Sequence, residues 1–116
     1  MNIRIETIGQ TTVVIPEGRL DFGTTPNFEK ELERALVSIT AAPAALIIDC
    51  TGLDYVSSAG LRAFLITARS SRRAGIRLAL CALKPAVREV FDLTGFSRII
   101  AVHADRATAL AHAQPG

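Results

Sequence analysis

The sequence predicts a small α/β domain with a mostly parallel sheet of about five strands, an N-terminal β-hairpin and about four helices. Three observations carry this prediction. β-branched residues dominate the segments on either side of Gly9-Gln10, later apolar runs lack the alternation of a half-exposed strand, and helical stripes separate those runs. Strands that alternate with helices form parallel sheets with right-handed connections. The chain has 116 residues, the size of one domain, and we expect residues 1–116 to form a single domain.

The first predicted elements are the hairpin and a helix. Residues 2–8 and 11–15 form its two strands, and Gly18–Asp21 is expected to leave the sheet. Thr25 is expected to cap the first helix, with Pro26 at its first position. The helix should face the core with residues at helical spacing, namely Phe28, Leu32, Ala35, Leu36 and Ile39.

Two apolar strands flank a second helix in the middle of the chain. Ala42-Pro43 breaks the first helix, and Ala44–Cys50 is almost entirely apolar, which is typical of a parallel strand covered on both faces. The second helix is predicted from Ser58 to Arg73, with Gly75 placed to end it and Ile76–Ala82 as the next strand. Its predicted core-facing residues are Leu61, Phe64, Leu65 and Ala68.

The last third of the chain is predicted to hold a helix, a strand and a helix. Pro85 opens a short helix that ends at Gly95, and Arg98–Val102 forms the last strand. Asp105 is expected to cap the final helix, with Leu110 on its inner side. The short helix should bury Val87, Val90 and Phe91.

Composition restricts the partners and the compartment. The net charge of +2 is too small to argue for nucleic acid or an anionic membrane, and one tyrosine without tryptophan supports no base-stacking surface. No apolar run approaches the roughly 18 residues that span a bilayer. The N-terminus lacks a basic region followed by an apolar one, so we expect a cytoplasmic protein. Cys50 and Cys81 lie in apolar strands and are expected to be buried free thiols, with a disulfide or metal pair as the alternative.

The serine pair Ser57-Ser58 opens the second helix, where free N–H groups and the helix dipole favour negative charge. Nucleophilic catalysis by Ser58 would need a base, and the histidines belong to the last strand and the last helix. Val56 also replaces the first glycine of a Gly-x-Ser-x-Gly elbow. The sequence contains neither a phosphate-cradling glycine loop nor clustered metal ligands. We therefore expect no catalytic residue, metal or cofactor, and Ser58 is either a modification site or a helix cap.

At Ser57-Ser58-Ala59-Gly60-Leu61 the chain resembles the bacterial anti-sigma factor antagonists of the STAS domain family. The resemblance covers roughly residues 12–113. Gly18–Asp21 resembles the family's Gly-x-Leu-Asp, Leu46–Asp49 its central strand, and Leu93–Phe96 its Leu-x-Gly ending. It aligns Ser58 with the phosphorylated serine and Gly60 with the glycine two residues later. Ser57 stands where many members have aspartate, and it is the second candidate acceptor.

The resemblance implies a partner switch. The unphosphorylated antagonist of this family binds an anti-sigma factor, itself a serine kinase with a histidine-kinase-like ATP-binding fold, and thereby frees a sigma factor. The kinase phosphorylates the antagonist and the complex dissociates, and a metal-dependent phosphatase of the PP2C type resets the system. The chain would then be a binder and a substrate, not an enzyme, and a monomer when free.

The expected partner surface surrounds Ser58. Arg62 lies one turn further along the same face, where it could pair with a phosphate. Arg62, Ile66, Arg69 and Arg73 follow at steps of four, three and four, a stripe suited to an acidic groove. A solvated arginine face, with Ile66 packed beside a neighbouring element, is the alternative. The predicted contact residues are Asp21, Ser57, Ser58, Ala59, Gly60, Arg62, Ile66 and Arg69.

Two other functions remain open. The same fold could serve as a scaffold or sensor in a signalling assembly without direct control of a sigma factor. It could also bind a small molecule or nucleotide in a pocket near Asp21 and the start of the second helix.

Overall fold

The computed structural model describes residues 1–40 and 44–113, and these residues form six strands and four helices. The strands are β1 (Asn2–Ile8), β2 (Thr11–Leu20), β3 (Ala44–Asp49), β4 (Leu53–Val56), β5 (Ile76–Cys81) and β6 (Ala101–His103). The helices are α1 (Thr25–Ser38), α2 (Ser58–Arg73), α3 (Pro85–Leu93) and α4 (Arg106–Ala113), and Phe96–Arg98 form a short 3-10 helix. The break predicted at Ala42-Pro43 lies outside the described residues.

The sheet has the order β1-β2-β3-β5-β6, and β4 pairs with the second half of β2. Only β1 and β2 are antiparallel, joined through a two-residue turn in which Gly9 has φ 60°. Every other pairing among the described residues is parallel. The predicted α/β class, with a mostly parallel sheet and an N-terminal hairpin, is therefore confirmed.

The two faces of the sheet carry cores of unequal size. Alternate residues of the central strands, among them Val14, Leu46 and Leu80, face α1, α2 and α3. A row of tilted aromatic rings runs through this larger core, with centroids 5.3 Å apart for Phe28 and Phe64 and 5.2 Å for Phe64 and Phe91. The smaller core lies under α4 and contains Val13, Ile15, Ile47, Cys81 and Ala109. Coverage on both faces accounts for the continuous apolar character of β3.

An ion-pair network attaches α4 to the sheet. Arg106 donates from Nε to Asp49 Oδ2 at 2.9 Å and from Nη1 to Glu6 Oε2 at 2.8 Å, so one guanidinium joins α4 to β3 and β1. Burial acts to raise the pKa of Asp49, but hydrogen bonds from Thr51 and the Arg106 guanidinium outweigh it and hold that pKa below its usual range. The hydrogen bonds that Arg106 donates to Asp49 and Glu6 raise the pKa of Arg106 in turn.

The prediction that Gly18–Asp21 leaves the sheet is wrong. β2 continues to Leu20, because its second half pairs with β4 across a register shift between Gly18 and Arg19. Gly18 adopts a φ of 109° at this irregularity, a conformation that favours glycine. The additional strand β4 raises the strand count from the predicted five to six in the described part of the chain.

The predicted last strand, Arg98–Val102, is also wrong in its position. Phe96 packs edge-on against Phe91 with centroids 6.2 Å apart, and its carbonyl accepts the N–H groups of Ile99 and Ile100, both at 2.9 Å. The chain therefore turns through the 3-10 helix, and β6 begins only at Ala101.

The helix predictions agree with the structure in most respects. α2 has the predicted bounds, Pro85 opens α3, and Asp105 Oδ1 accepts the Thr108 N–H at 2.8 Å as the cap of α4. The cap residue of α1 is Thr24 rather than Thr25, because Thr25 already lies in the helix. α2 buries Ala63 and Thr67 in addition to Leu61 and Phe64, whereas several other predicted core residues are only half-buried, namely Leu36, Ile39, Leu65, Ala68, Val90 and Leu110.

Cys50 and Cys81 are buried free thiols, as predicted, and they belong to the cores on opposite faces of the sheet. Burial raises the pKa of Cys81 to about 12 and that of Cys50 well above its usual value. Across residues 1–40 and 44–113, no helix has the length and apolar character needed to cross a membrane.

Candidate functional site

The carboxyl ends of β2 and β4 lie side by side and bring two loops together. Leu20 is the last residue of β2, and its carbonyl accepts the Ser57 N–H at 2.8 Å directly after β4. Asp21 and Ser57, which lie far apart in the sequence, therefore continue from neighbouring strand ends. Carboxyl ends of parallel strands are where α/β folds usually place their binding sites.

Ser57 is the cap of α2. Its backbone is extended, with φ −81° and ψ 173°, and its hydroxyl oxygen accepts the Gly60 N–H at 3.2 Å. Its carbonyl accepts the Leu61 N–H at 2.9 Å, and only 9% of the residue is exposed. The capping function that the sequence left open for Ser58 therefore belongs to Ser57.

Ser58 is the first residue of α2, and its side chain is exposed. Its own N–H and that of Ala59 lie in the first turn, and no described residue accepts a hydrogen bond from either. Arg62 is exposed four residues further along the helix and forms no ion pair with a carboxylate in the described ranges. This end of the helix can therefore accommodate an anion attached to the Ser58 oxygen.

Gly60 allows α2 to approach the sheet closely. A Cβ atom at this position would lie 2.7 Å from Leu20 Cδ2, 2.8 Å from Leu20 Cγ and 3.1 Å from Val56 Cγ1. These distances are shorter than van der Waals contact, so a side chain here would require the start of α2 or the side chains of Leu20 and Val56 to shift.

Asp21 holds the loop that faces the start of α2. Its Oδ1 atom accepts the N–H groups of Gly23 at 3.0 Å and Thr24 at 3.1 Å, and Thr24 Oγ1 in turn accepts the Asp21 N–H at 2.9 Å. The hydrogen bond from the Thr24 backbone N–H is the main cause of the lowered pKa of Asp21. Asp21 is thus an ionised residue that shapes the loop as well as a surface residue beside Ser57.

Residues that sequence reasoning missed lie on the same surface. Phe22, beside Asp21, is 78% exposed, an unusual position for a large aromatic side chain. Tyr55 on β4 is exposed, and the Arg19 guanidinium lies 4.2 Å from its ring centroid. In the sequence, Phe22 is a lone aromatic residue inside a loop of small and polar residues. An analysis of hydrophobic periodicity does not identify such a residue.

The residues of the predicted stripe on α2 border two different depressions of the surface. Ile66 is exposed and borders a groove between α1 and α2 together with Glu29 and Glu33. Arg69 borders a different depression, beside Arg98 and Ile99. Arg62, Ile66 and Arg69 thus form an exposed ridge between these depressions, and Ile66 is only partly covered by its neighbours. Within residues 1–40 and 44–113, no three histidine, cysteine, aspartate or glutamate side chains gather to hold a metal ion.

Comparison with known proteins places these features in a family. The profile of the STAS domain matches residues 2–109. BtrV of Bordetella bronchiseptica, provisionally named an anti-sigma factor antagonist, is 33% identical over 96% of this chain and 93% of its own length. The anti-sigma-B factor antagonist of Listeria monocytogenes is 31% identical over 88% of this chain and 90% of its own.

The fold of a Thermotoga maritima protein, also provisionally named an anti-sigma factor antagonist, superimposes with a TM-score of 0.88. The match covers 97% of this chain and 95% of that protein at 16% identity, so it bears on the fold alone. The family profile spans most of the chain, and the relatives match over nearly their full lengths. This chain belongs to the STAS domain family.

Proposed function

We propose that this protein is an anti-sigma factor antagonist that binds an anti-sigma factor serine kinase and is inactivated by phosphorylation of Ser58. It thereby regulates sigma-factor-dependent transcription indirectly, as a binder and substrate rather than a catalyst. The names of the relatives support the antagonist function. Because a sigma factor acts on RNA polymerase, this function places the protein in the cytoplasm, with a PP2C-type phosphatase as the enzyme that resets it.

The observation that carries the proposal is that two adjacent hydroxyl groups differ in burial and in hydrogen bonding. The Ser57 hydroxyl is buried and accepts the Gly60 N–H, so a kinase could reach it only by opening the first turn of α2. The Ser58 hydroxyl is exposed beside N–H groups of the same turn for which the described residues provide no acceptor. This difference supports Ser58 as the acceptor and Ser57 as its structural neighbour.

The physical effect of a phosphate supports a switch that leaves the fold intact. Phosphorylation adds about −1.5 to −2 charges, and the N-terminus of a helix stabilises such a charge by roughly 0.3–2 kcal/mol. Arg62 is near enough in the helix to pair with it. Inside a protein interface the same charge must lose its water and meet the partner's carboxylates or ATP phosphates. A penalty of about 3 kcal/mol weakens binding more than 100-fold.

The proposed partner surface combines the loop at Asp21, the start of α2 and the exposed ridge. Phe22 adds an exposed aromatic side chain of the kind that dominates binding energy in protein interfaces. Gly60 contributes by allowing the helix to approach the sheet rather than by contact with the partner. The proposed contact residues are Asp21, Phe22, Ser57, Ser58, Ala59, Arg62, Ile66 and Arg69.

Phosphorylation in vitro tests the proposed acceptor. The protein is incubated with Mg-ATP and an anti-sigma factor serine kinase from the same organism, and peptides are mapped by mass spectrometry. We expect one phosphate on Ser58 in the wild type and in Ser57→Ala, and none in Ser58→Ala. Because Ser57→Ala removes a helix cap, its helix content is checked by circular dichroism. Phosphate on Ser57, or on neither serine, would contradict the proposed switch.

A further inference from the structure

A cavity of about 440 Å³ lies at one edge of the sheet, between β5, α4 and the C-terminal part of α2. Arg72, on its border, follows Ser58 by 14 residues, which corresponds to about 21 Å along the helix. None of the residues that line the cavity belongs to the surface proposed to bind the kinase, although Arg69 of that surface lies only three residues before Arg72.

Two features of the sequence create this space. β6 pairs only with Ala79–Cys81, so no described strand covers the first half of β5 on that side. The residues around the opening are also small, because six alanines line it, namely Ala45, Ala68, Ala79, Ala101, Ala109 and Ala113. Protein interiors rarely leave spaces larger than a water molecule, and 300–1,000 Å³ is about the range of small-molecule sites.

The inner wall of the cavity is apolar. Ile47, Ile76, Ile100 and Ala109 line it and are at most 6% exposed. A ligand that lies against this wall therefore exchanges water for aliphatic contacts on one side, which favours an apolar ligand body.

The border of the cavity is positively charged. Arg72 and Arg77 line it and are exposed, and neither forms an ion pair with a described carboxylate. Arg77 Nη1 donates to the His112 carbonyl at 3.3 Å, which directs this side chain towards α4. The rings of His103 and His112 stack beside it with centroids 4.7 Å apart. Among the residues that the structure describes, no aspartate or glutamate lines the cavity, so the charge of its described lining complements an anion.

We propose that this cavity binds a small amphipathic anion, an unbranched alkyl carboxylate, with its chain against Ile47 and its carboxylate between Arg72 and Arg77. The proposal does not depend on the antagonist function, because it rests on residues that are not part of the proposed kinase-binding surface. An aliphatic wall selects the chain, and the two unpaired guanidinium groups select the carboxylate.

Calorimetric titration with hexanoate, octanoate and decanoate, each below its micelle concentration, tests the proposal. Each added methylene should tighten binding about fourfold until the cavity is filled. Octanol and octyltrimethylammonium should bind more weakly than octanoate, because they lack the negative charge. Equal affinities across the chain-length series, or tighter binding of octyltrimethylammonium, would overturn the proposal.

Variants separate the two parts of the site. Ala79→Leu and Ala101→Leu fill the cavity and should abolish octanoate binding, with circular dichroism as the check on folding. Arg77→Gln changes an exposed side chain and should weaken octanoate about tenfold while octanol is unaffected. Arg34→Gln on α1 is the matched control and should bind like the wild type.

Vesicles of phosphatidylglycerol distinguish a free ligand from a membrane surface. We expect octanoate to bind in the absence of vesicles and Ala79→Leu to abolish that binding. Sedimentation with vesicles that depends on Arg77 but not on Ala79, without any binding of free octanoate, would show electrostatic association with a surface and would contradict the proposed cavity site.

Discussion

A Cβ atom on Gly60 would lie 2.7 Å from Leu20, so this position ties the start of α2 to the end of β2. The same turn contains the buried cap Ser57 and the exposed Ser58. At the scale of single residues, the site thus depends on three residues of one helical turn. Ser57 caps the helix, Ser58 presents an exposed hydroxyl group, and Gly60 permits close packing because it has no side chain.

Gly60→Ala should lower the free energy of unfolding by about 1–2 kcal/mol. Overpacking costs roughly 1–3 kcal/mol, and alanine returns up to about 1 kcal/mol through its helix propensity. The measurement is urea denaturation followed by far-UV circular dichroism. Gly23→Ala is the control, because its Cβ would meet only Asp21 Oδ1 at an ordinary 3.5 Å, and it should change stability by less than about 0.5 kcal/mol. Equal effects of the two substitutions would contradict the packing argument.

At the scale of elements, the Arg106 network decides how α4 is held. Asp49 is almost fully buried, and Arg106 is its only cationic partner among the described residues. Removal of the guanidinium leaves a buried carboxylate with hydrogen bonds from Thr51 alone. Because α4 also forms one wall of the cavity, the same network positions Ala109 and Ala113.

Arg106→Gln should destabilise the fold by about 1–3 kcal/mol at pH 7, and the difference from the wild type should shrink in acid. The pKa of Asp49 is lowered in the folded state, so its stabilisation is fully present above the unfolded pKa of about 3.9 and is lost as the pH falls through the folded pKa. Urea unfolding at pH 7 and at pH 3 measures both values. Arg34→Gln, which breaks the exposed pair with Glu31, should cost less than about 0.5 kcal/mol. A destabilisation by Arg106→Gln that does not change with pH would contradict this account.

Elements with strong local signals are predictable from the sequence. α2 begins at the serine pair and ends before Gly75, so its bounds follow from capping and periodicity. β4 is missed, because its four residues do not alternate and its pairing depends on the register shift in β2. β6 is misplaced, since the packing of Phe96 on Phe91 turns the chain before the strand begins. Tertiary contacts therefore decide the short elements.

The candidate site is predictable in part for similar reasons. The serine pair and Gly60 stand out through the start of α2 and through the family resemblance. The assignment of the cap to Ser57 rests on hydrogen-bond geometry that residue types alone do not specify. The exposure of Phe22 depends on the turn that Asp21 and Thr24 form, so it becomes visible only in the folded chain.

At the scale of the whole molecule, we propose that residues 1–116 unfold as one domain. β3 lies in both cores, and the Arg106 network connects β1, β3 and α4, so no part of the sheet is independent of the rest. Tyr55 is the single tyrosine, and the chain has no tryptophan, so its emission reports on β4 while far-UV circular dichroism reports on the helices. The two probes should give coincident urea transitions. Separate transitions would contradict a single domain.

For the complete molecule, we propose that the fold tolerates a charge at the start of α2, whereas the proposed partner does not. Aspartate at position 58 should leave the melting temperature within a few degrees of the wild type, because an acidic residue is favoured in the first turn of a helix. The proposed switch therefore requires loss of binding without loss of structure.

Binding of Ser58 variants to the anti-sigma factor kinase tests this central claim most directly. Isothermal titration calorimetry should show that Ser58→Ala and Ser58→Asn bind within a few-fold of the wild type, whereas Ser58→Asp binds more than 100-fold more weakly. Asparagine matches aspartate in size, so the pair isolates the charge. Equal affinities of Ser58→Asp and Ser58→Asn would contradict the account.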